Sequence, residues 1–217
     1  MEQKAKSHLD PTQLTNWTIA DFLRKLASEE PVPGGGSASA LAGALGAALI
    51  VMYSRLGTIR KGVSSDDQEV LQKIALEASS YQQKLTRLVT EDSVAYAEVM
   101  QAFKLPKTTE EESKNRQQAI QKAFQKAVET PLQILNCSIE CLYLTAEVAL
   151  SGNPSSFSDL KVAHSLCRAA ANGAIENVEI NMPSLKDPEY LKQVEERLHK
   201  LKESLEQVSR QKIVKPA

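Results

Sequence analysis

The chain has 217 residues, with 26 lysines and arginines against 27 aspartates and glutamates, and 42% of its residues are hydrophobic. This length and composition predict one globular domain with a sizeable core. The near-zero net charge argues against nucleic acid as a partner, because binding to phosphate backbones normally requires a basic surplus. Three cysteines, an odd number, suit a reducing compartment and buried structural positions.

The N-terminal region predicts a cytoplasmic protein and one short helix. Residues 1–16 contain no apolar run of the signal-peptide kind. Thr18 followed by Asp21 is a capping pattern that predicts a helix to about Ser28. The spacing assigns this helix an apolar face made of Ile19, Phe22, Leu23 and Leu26.

The segment 31–52, PVPGGGSASALAGALGAALIVM, joins three glycines to a charge-free run of small residues. Its length raises the possibility of a membrane span, but it depends on Ala, Gly and Ser and lacks flanking aromatic residues. We therefore expect a closely packed helix over about 37–56. The glycine turn and the free N–H groups behind it could receive an anion, although a tight helix junction explains the glycines about as well.

The third predicted helix runs from about residue 66 to 103, and Pro106 ends it. Its apolar residues follow a heptad-like repeat, which predicts a long helix packed against others. The core positions of this helix are Leu71, Ile74, Ala78, Tyr81, Leu85 and Leu88.

Two helices are predicted next. Thr109 and Glu112 form a capping box that opens a helix ending near residue 129. Pro131 then stands where the first position of a further helix would be, and that helix would end near residue 152.

The final part of the chain predicts helices from about 156 to 181 and from Asp187 onward. No alternating strand pattern occurs. The fold class is therefore all-α, a bundle of long antiparallel helices forming one domain over residues 1–217. We expect the chain to be loose up to about Leu14 and from about Gln211.

One carboxylate interrupts the third helix's apolar pattern. Counting in sevens from Leu71 places Asp92 at a position that the repeat reserves for the core. A buried charge is costly, so Asp92 requires a partner, a shifted pKa or a cleft to face. Tyr96 lies one turn later, and Lys107 follows in the loop after the helix. The alternatives are a structural salt bridge or a buried cap to a neighbouring helix for Asp92, and a solvated surface position for Lys107.

The sixth predicted helix carries polar residues at both ends of its apolar stripe. Asp159 stands near its start, where capping and the helix dipole alone would explain a carboxylate. Asn177 and Asn181 extend the stripe at its other end, where they end the helix, bind the main chain of the loop containing Pro183, or contact a ligand. The three scattered histidines form neither a Ser-His-Asp arrangement nor a metal site, and we predict no metal.

Three segments occur in order along nearly the whole chain: FLRKLASEEPVPGGGSASALAGALGAALIVM, DSVAYAEVMQAFKLPK and GNPSSFSDLKVAHSLCRAAANGAIENVEIN. Together they resemble the cyclodeaminase/cyclohydrolase family of folate enzymes. That family includes the C-terminal half of formiminotransferase-cyclodeaminase and free-standing methenyltetrahydrofolate cyclohydrolases, all-helical proteins that assemble at least as dimers. This chain departs from it in having Pro154 to Phe157 where members often have Lys-Asn-Ala, and Tyr96 where many have Phe.

The resemblance implies a tetrahydrofolate substrate. For the pterin it implies contacts with amides and a carboxylate, at Asn153, Asp159, Asn177 and Asn181. For the glutamate tail it implies N–H or cationic donors, at Gly34, Gly35, Gly36, Ser37 and Lys107.

The resemblance also implies a reaction in which water adds to the methenyl carbon between N5 and N10 and the product opens to 10-formyltetrahydrofolate. Asp92 would accept the water proton, and Lys107 or Tyr96 would return a proton. No cofactor is implied beyond the tetrahydrofolate derivative, and no metal. We also expect a homodimer or a higher homo-oligomer, with neither nucleic acid nor membrane as a partner.

Two alternatives stay open. The same site in a cyclodeaminase would assist release of ammonia from formiminotetrahydrofolate, and we prefer the cyclohydrolase because no transferase half accompanies this sequence. A non-catalytic helical module for oligomerisation or folate binding is the other alternative.

Overall fold

The protein is described by a computed structural model that covers residue 10, residues 12–211 and residues 213–215. Within them the chain forms six α-helices and three short 3-10 helices, at Leu14–Asn16, Pro154–Ser156 and Met182–Ser184, and no strand. The α-helices are α1 (Ile19–Leu26), α2 (Gly35–Thr58), α3 (Ser65–Lys104), α4 (Glu110–Val148), α5 (Phe157–Asn181) and α6 (Pro188–Ser209). The predicted all-α fold class is confirmed.

Most of the helices start at a residue whose side chain satisfies a free backbone N–H. The Thr18, Ser64 and Thr109 hydroxyls and the Asp187 carboxylate accept hydrogen bonds from the first turns of α1, α3, α4 and α6. At Thr109 the predicted capping box is complete, because the Glu112 carboxylate also accepts from the Thr109 N–H.

Helix α2 is the central element, packed mainly between α3 and α5 and also touching α4. Its small residues allow this: a Cβ at Gly46 would lie 2.5 Å from the Cys167 Sγ and 3.0 Å from the Ala163 carbonyl oxygen of α5. By length and composition α2 could also span a membrane, yet 56% of its most apolar window is buried inside the protein. The close packing of α2 that its small residues predicted is confirmed.

The boundary predicted at Pro131 is wrong, because α4 runs without a break from Glu110 to Val148 with Pro131 inside it. A proline within a helix removes the hydrogen bond to the carbonyl four residues earlier, here that of Ala127. The Asn181 side chain donates to this carbonyl at 3.3 Å and so replaces part of what the helix loses. Pro131 is buried among apolar neighbours on α4, which also favours continuation.

Two expectations at the N-terminal end need correction. Leu14 is only 3% exposed and belongs to the core, so the loose region does not extend to it. Residues 1–9, 11, 212, 216 and 217, which the same expectation included, lie outside the described residues. On α1 only Phe22 is buried, whereas Ile19 and Leu23 are 81% and 56% exposed, because this eight-residue helix lies at the edge of the bundle.

The two glycines at the α2 interfaces allow a graded test of packing. Gly46→Ala should lower the free energy of unfolding by roughly 1–3 kcal/mol, because the new methyl group meets backbone atoms of α5 that cannot move independently. Gly43→Ala should cost less, since its Cβ would meet only side-chain atoms of Leu85 and Ser138, at 3.2 Å. Both variants gain the same helix propensity. Urea unfolding of the two proteins checks this order, and an equal or larger loss in Gly43→Ala would contradict it.

Candidate active site

A cavity of about 330 Å³ opens where the N-terminus of α2 meets α3, α4 and α5. This volume is in the range of small-molecule sites. Among the described residues that line it, Asp92 is the only one with a charged side chain. The lining comprises Pro31, Val32, Gly34, Gly35, Gly36, Asp92, Ala95, Tyr96, Val99, Phe124, Ala127, Asn177 and Asn181.

The Asp92 carboxylate lies against the first turn of α2. The Ser37 hydroxyl donates to its Oδ2 at 3.1 Å, and the Ser37 Oγ is also 3.0 Å from the Oγ of Ser93. A carboxylate can only accept, so Ser37 must use its proton on Asp92 and accept the one from Ser93. Both serines are buried, and Ser37 therefore holds Asp92 rather than facing the cavity.

Gly36 is required for this arrangement. A Cβ at position 36 would lie 2.5 Å from the Asp92 Cγ and would overlap its oxygens. The helix N-terminus, where the sequence predicted an external anion, is thus occupied by the chain's own carboxylate. Its partial positive charge favours the ionised form of Asp92.

Burial is the largest influence on Asp92 and raises the pKa of its carboxyl group, while hydrogen bonds from the Ser37 hydroxyl and backbone N–H lower the pKa by less. A raised pKa lies closer to neutral pH, and this makes the carboxylate a better general base. Asp92 has the properties of a general base facing a cavity.

Two asparagines of α5 form the opposite wall. The Asn177 Nδ2 donates to the Gly173 carbonyl at 2.7 Å, and the Asn181 Nδ2 donates to the Asn177 carbonyl at 2.8 Å. A Cβ at Gly35 would be 3.5 Å from the Asn177 Nδ2, so α2 and α5 meet closely here. Both amides line the cavity and offer polar atoms to a ligand.

Most of the predicted site residues meet at this cavity. Gly34, Gly35, Gly36, Asp92, Tyr96, Asn177 and Asn181 line it, and Ser37 lies directly behind Asp92. Sequence reasoning missed Ser93, although a serine beside Asp92 on a buried face was a signal. It also missed Phe124 and Ala127, whose apolar side chains give no signal separate from core packing.

Lys107 and two other predicted residues do not reach the cavity within one chain. Helix α3 continues for three turns beyond Asp92, so the loop bearing Lys107 begins ~18 Å away along the axis. Asp159 is in the first turn of α5, ~27 Å along that helix from Asn177. Asn153 caps the preceding 3-10 helix, its Oδ1 accepting from the Ser155 N–H at 2.9 Å.

The fold and the site define a class: an all-helical protein with a carboxylate, a glycine turn and two amides around one cavity. Residues 18–200 match the family model described as formiminotransferase-cyclodeaminase. The chain belongs to this family.

Known relatives share most of the chain. It is 37% identical over 186 residues to a methenyltetrahydrofolate cyclohydrolase of Methylorubrum extorquens, covering 86% of this chain and 88% of the relative. It is 33% identical over 189 residues to the mouse formimidoyltransferase-cyclodeaminase, covering 87% of this chain but 35% of that protein, about a third of its length. The crystal structure of formiminotetrahydrofolate cyclodeaminase from Thermotoga maritima superposes with a TM-score of 0.78 at 25% identity, over 89% of this chain and 92% of that one.

The raised pKa of Asp92 predicts a specific effect on stability. A carboxyl group with a raised pKa in the folded state stabilises the fold below its unfolded pKa, near 3.8, and this contribution is lost as pH rises through the folded pKa. Asp92→Asn has no charge to bury, so it should be at least as stable as the natural protein at pH 7. The difference should shrink towards pH 4. Urea unfolding at both pH values measures the difference in free energy of unfolding between the variant and the natural protein. A variant whose stability relative to the natural protein is lower at pH 7 than at pH 4 would refute the prediction.

Proposed function

We propose that this protein hydrolyses 5,10-methenyltetrahydrofolate to 10-formyltetrahydrofolate, in folate one-carbon metabolism. The observation that carries the proposal is Asp92, a partly buried carboxylate and, in the part of the chain that the structure describes, the only charged side chain that lines the cavity. The methenyl carbon of the substrate is cationic, so an opposite charge at this place stabilises the reacting centre. The similarity to a methenyltetrahydrofolate cyclohydrolase over 88% of that relative supports the same reaction.

In the proposed reaction, a water molecule attacks the methenyl carbon and Asp92 accepts one of its protons. The resulting carbinolamine is neutral. As the bond from carbon to N5 breaks, N5 takes up the proton that Asp92 holds, either directly or relayed through Tyr96, and the hydroxyl proton is lost to solvent. The net change consumes one water and releases one proton, and Asp92 ends as it began.

Tyr96 and Asp92 are the candidates for the proton that N5 receives. Tyr96 lies one helical turn after Asp92 on α3, lines the same cavity and is 39% exposed. Lys107, the other predicted acid, is on a loop outside the cavity within one chain. The proposed reaction uses no metal or redox cofactor, because one addition of water, one cleavage of the bond from carbon to N5 and proton transfers account for all of its steps.

The second candidate activity is that of a formiminotetrahydrofolate cyclodeaminase. The structural match to the Thermotoga maritima cyclodeaminase over 92% of that chain favours it. The same carboxylate would then help N10 attack the formimino carbon, and ammonia would leave. A folate-binding module without turnover is the remaining alternative. Only a measurement of activity distinguishes such a module from the two enzymes.

The assay follows the loss of 5,10-methenyltetrahydrofolate absorbance beside ammonia release from 5-formiminotetrahydrofolate. Asp92→Asn should lower the rate of hydrolysis by about 100- to 10,000-fold, because a general base is lost. The matched control is Asp66→Asn, which removes an exposed carboxylate in the first turn of α3, ~39 Å along the same helix from Asp92, and should leave the rate within about twofold. Near-normal turnover by Asp92→Asn would remove Asp92 from the mechanism, and ammonia release without hydrolysis would favour the cyclodeaminase.

We further propose that the protein is a cytoplasmic homodimer associated through the outward face of α2. Leu45 and Met52 lie seven residues apart on this face, and Ile59 follows at the C-cap of the helix; all three are exposed, Leu45 by 51%. An exposed apolar stripe of this kind can pair with its own copy across a two-fold axis, with the exposed Arg55 at one end of the contact.

Leu45→Glu tests the dimer, because it places a charge in the middle of the stripe. The natural protein should have the mass of a dimer in light scattering after gel filtration, and Leu45→Glu should shift towards the monomer. The control is Leu76→Glu, at a site 75% exposed on α3, which should remain dimeric. A monomeric natural protein, or equal behaviour of the two variants, would refute the interface.

A further inference from the structure

Pro131 leaves one carbonyl of α4 without its helical partner. It stands in the middle of a 39-residue helix and has no N–H, so the Ala127 carbonyl oxygen receives no hydrogen bond from position 131. Ala127 lines the cavity beside Phe124, so the freed acceptor lies at the edge of the candidate site. A proline inside a helix lowers the stability of the helix.

Asn181 of α5 uses this acceptor. Its Nδ2 donates to the Ala127 carbonyl at 3.3 Å and to the Asn177 carbonyl at 2.8 Å. Two acceptors face this end of the side chain, so they identify it as the NH₂ group and fix the orientation of the amide. Both N–H bonds of Asn181 are then used, and its Oδ1 is the one polar atom that the side chain has left for a ligand.

We propose that Pro131 is a positioning residue that acts through Asn181: by freeing the Ala127 carbonyl it locks the Asn181 amide so that Oδ1 presents an acceptor to the cavity. The matching ligand group is an N–H donor edge, such as the guanidine-like edge of a reduced pterin. The identity of the ligand in this inference rests on the proposed function. The hydrogen bond between α4 and α5 is independent of that function.

A purely structural proline would act differently. It would only bend α4, and its replacement would change stability without changing what Asn181 contributes to binding. The proposed positioning role requires instead that the effect of substituting Pro131 depends on the presence of the Asn181 side chain. Pro131→Ala restores an N–H that competes for the Ala127 carbonyl and should release the Asn181 amide into several orientations.

A double-mutant cycle on the full-length protein tests this, with kcat and KM measured for 5,10-methenyltetrahydrofolate. Pro131→Ala should raise KM by roughly 3- to 10-fold with kcat within about twofold, the range of coupling between contacting residues. Asn181→Ala should raise KM at least as much, and the double variant should be no worse than Asn181→Ala. Pro188→Ala, at the first position of α6 and outside the cavity, is the control and should leave KM unchanged.

Additive effects of the two substitutions, or an unchanged KM in Pro131→Ala, would overturn the inference. A spectroscopic measurement keeps it separate from the proposed function. The two side-chain amide protons of Asn181 should give distinct, protected NMR signals in the natural protein and should lose this protection in Pro131→Ala, whether or not the substrate is turned over. Absence of turnover by the natural protein would refute the proposed function, whereas protection that survives in Pro131→Ala would refute the lock.

Discussion

The structure of the site depends on one contact, between the Asp92 carboxylate of α3 and the first turn of α2. The ionised carboxyl group would be unfavourable at a partly buried position, and the helix N-terminus with the Ser37 hydroxyl offsets part of that cost. The contact is possible because position 36 has no side chain. The glycine turn therefore serves to bring an internal charge and a helix end together, and the cavity forms beside them.

The same need for close approach shapes the rest of the bundle. Helix α2 has small residues where it meets α3 and α5, so both neighbours come near enough for their side chains to converge at its N-terminus. Asn177 and Asn181 reach the cavity from α5 for this reason. A bulkier α2 would keep the fold class but would separate the carboxylate from the amides.

Several features of the site reduce stability. Asp92 is ionisable and partly buried, and Pro131 interrupts the hydrogen bonding of α4. Proteins commonly tolerate such costs where a reaction or a ligand requires them. Asp92 lines the cavity, and the carbonyl that Pro131 leaves free belongs to Ala127, another lining residue, so both costs occur at the same cavity and favour it as the functional site.

The sequence by itself determined the fold class, most helix boundaries, and Asp92, the glycine turn and the two asparagines as exceptions to the apolar pattern, because periodicity and capping are local properties. Tertiary structure alone decided which of these residues meet. It placed Lys107, Asn153 and Asp159 outside the cavity, since the rise of a long helix carries its ends far apart. It also carried α4 through Pro131, because the side chain that uses the freed carbonyl lies 54 residues later in the chain and no local rule could reveal it.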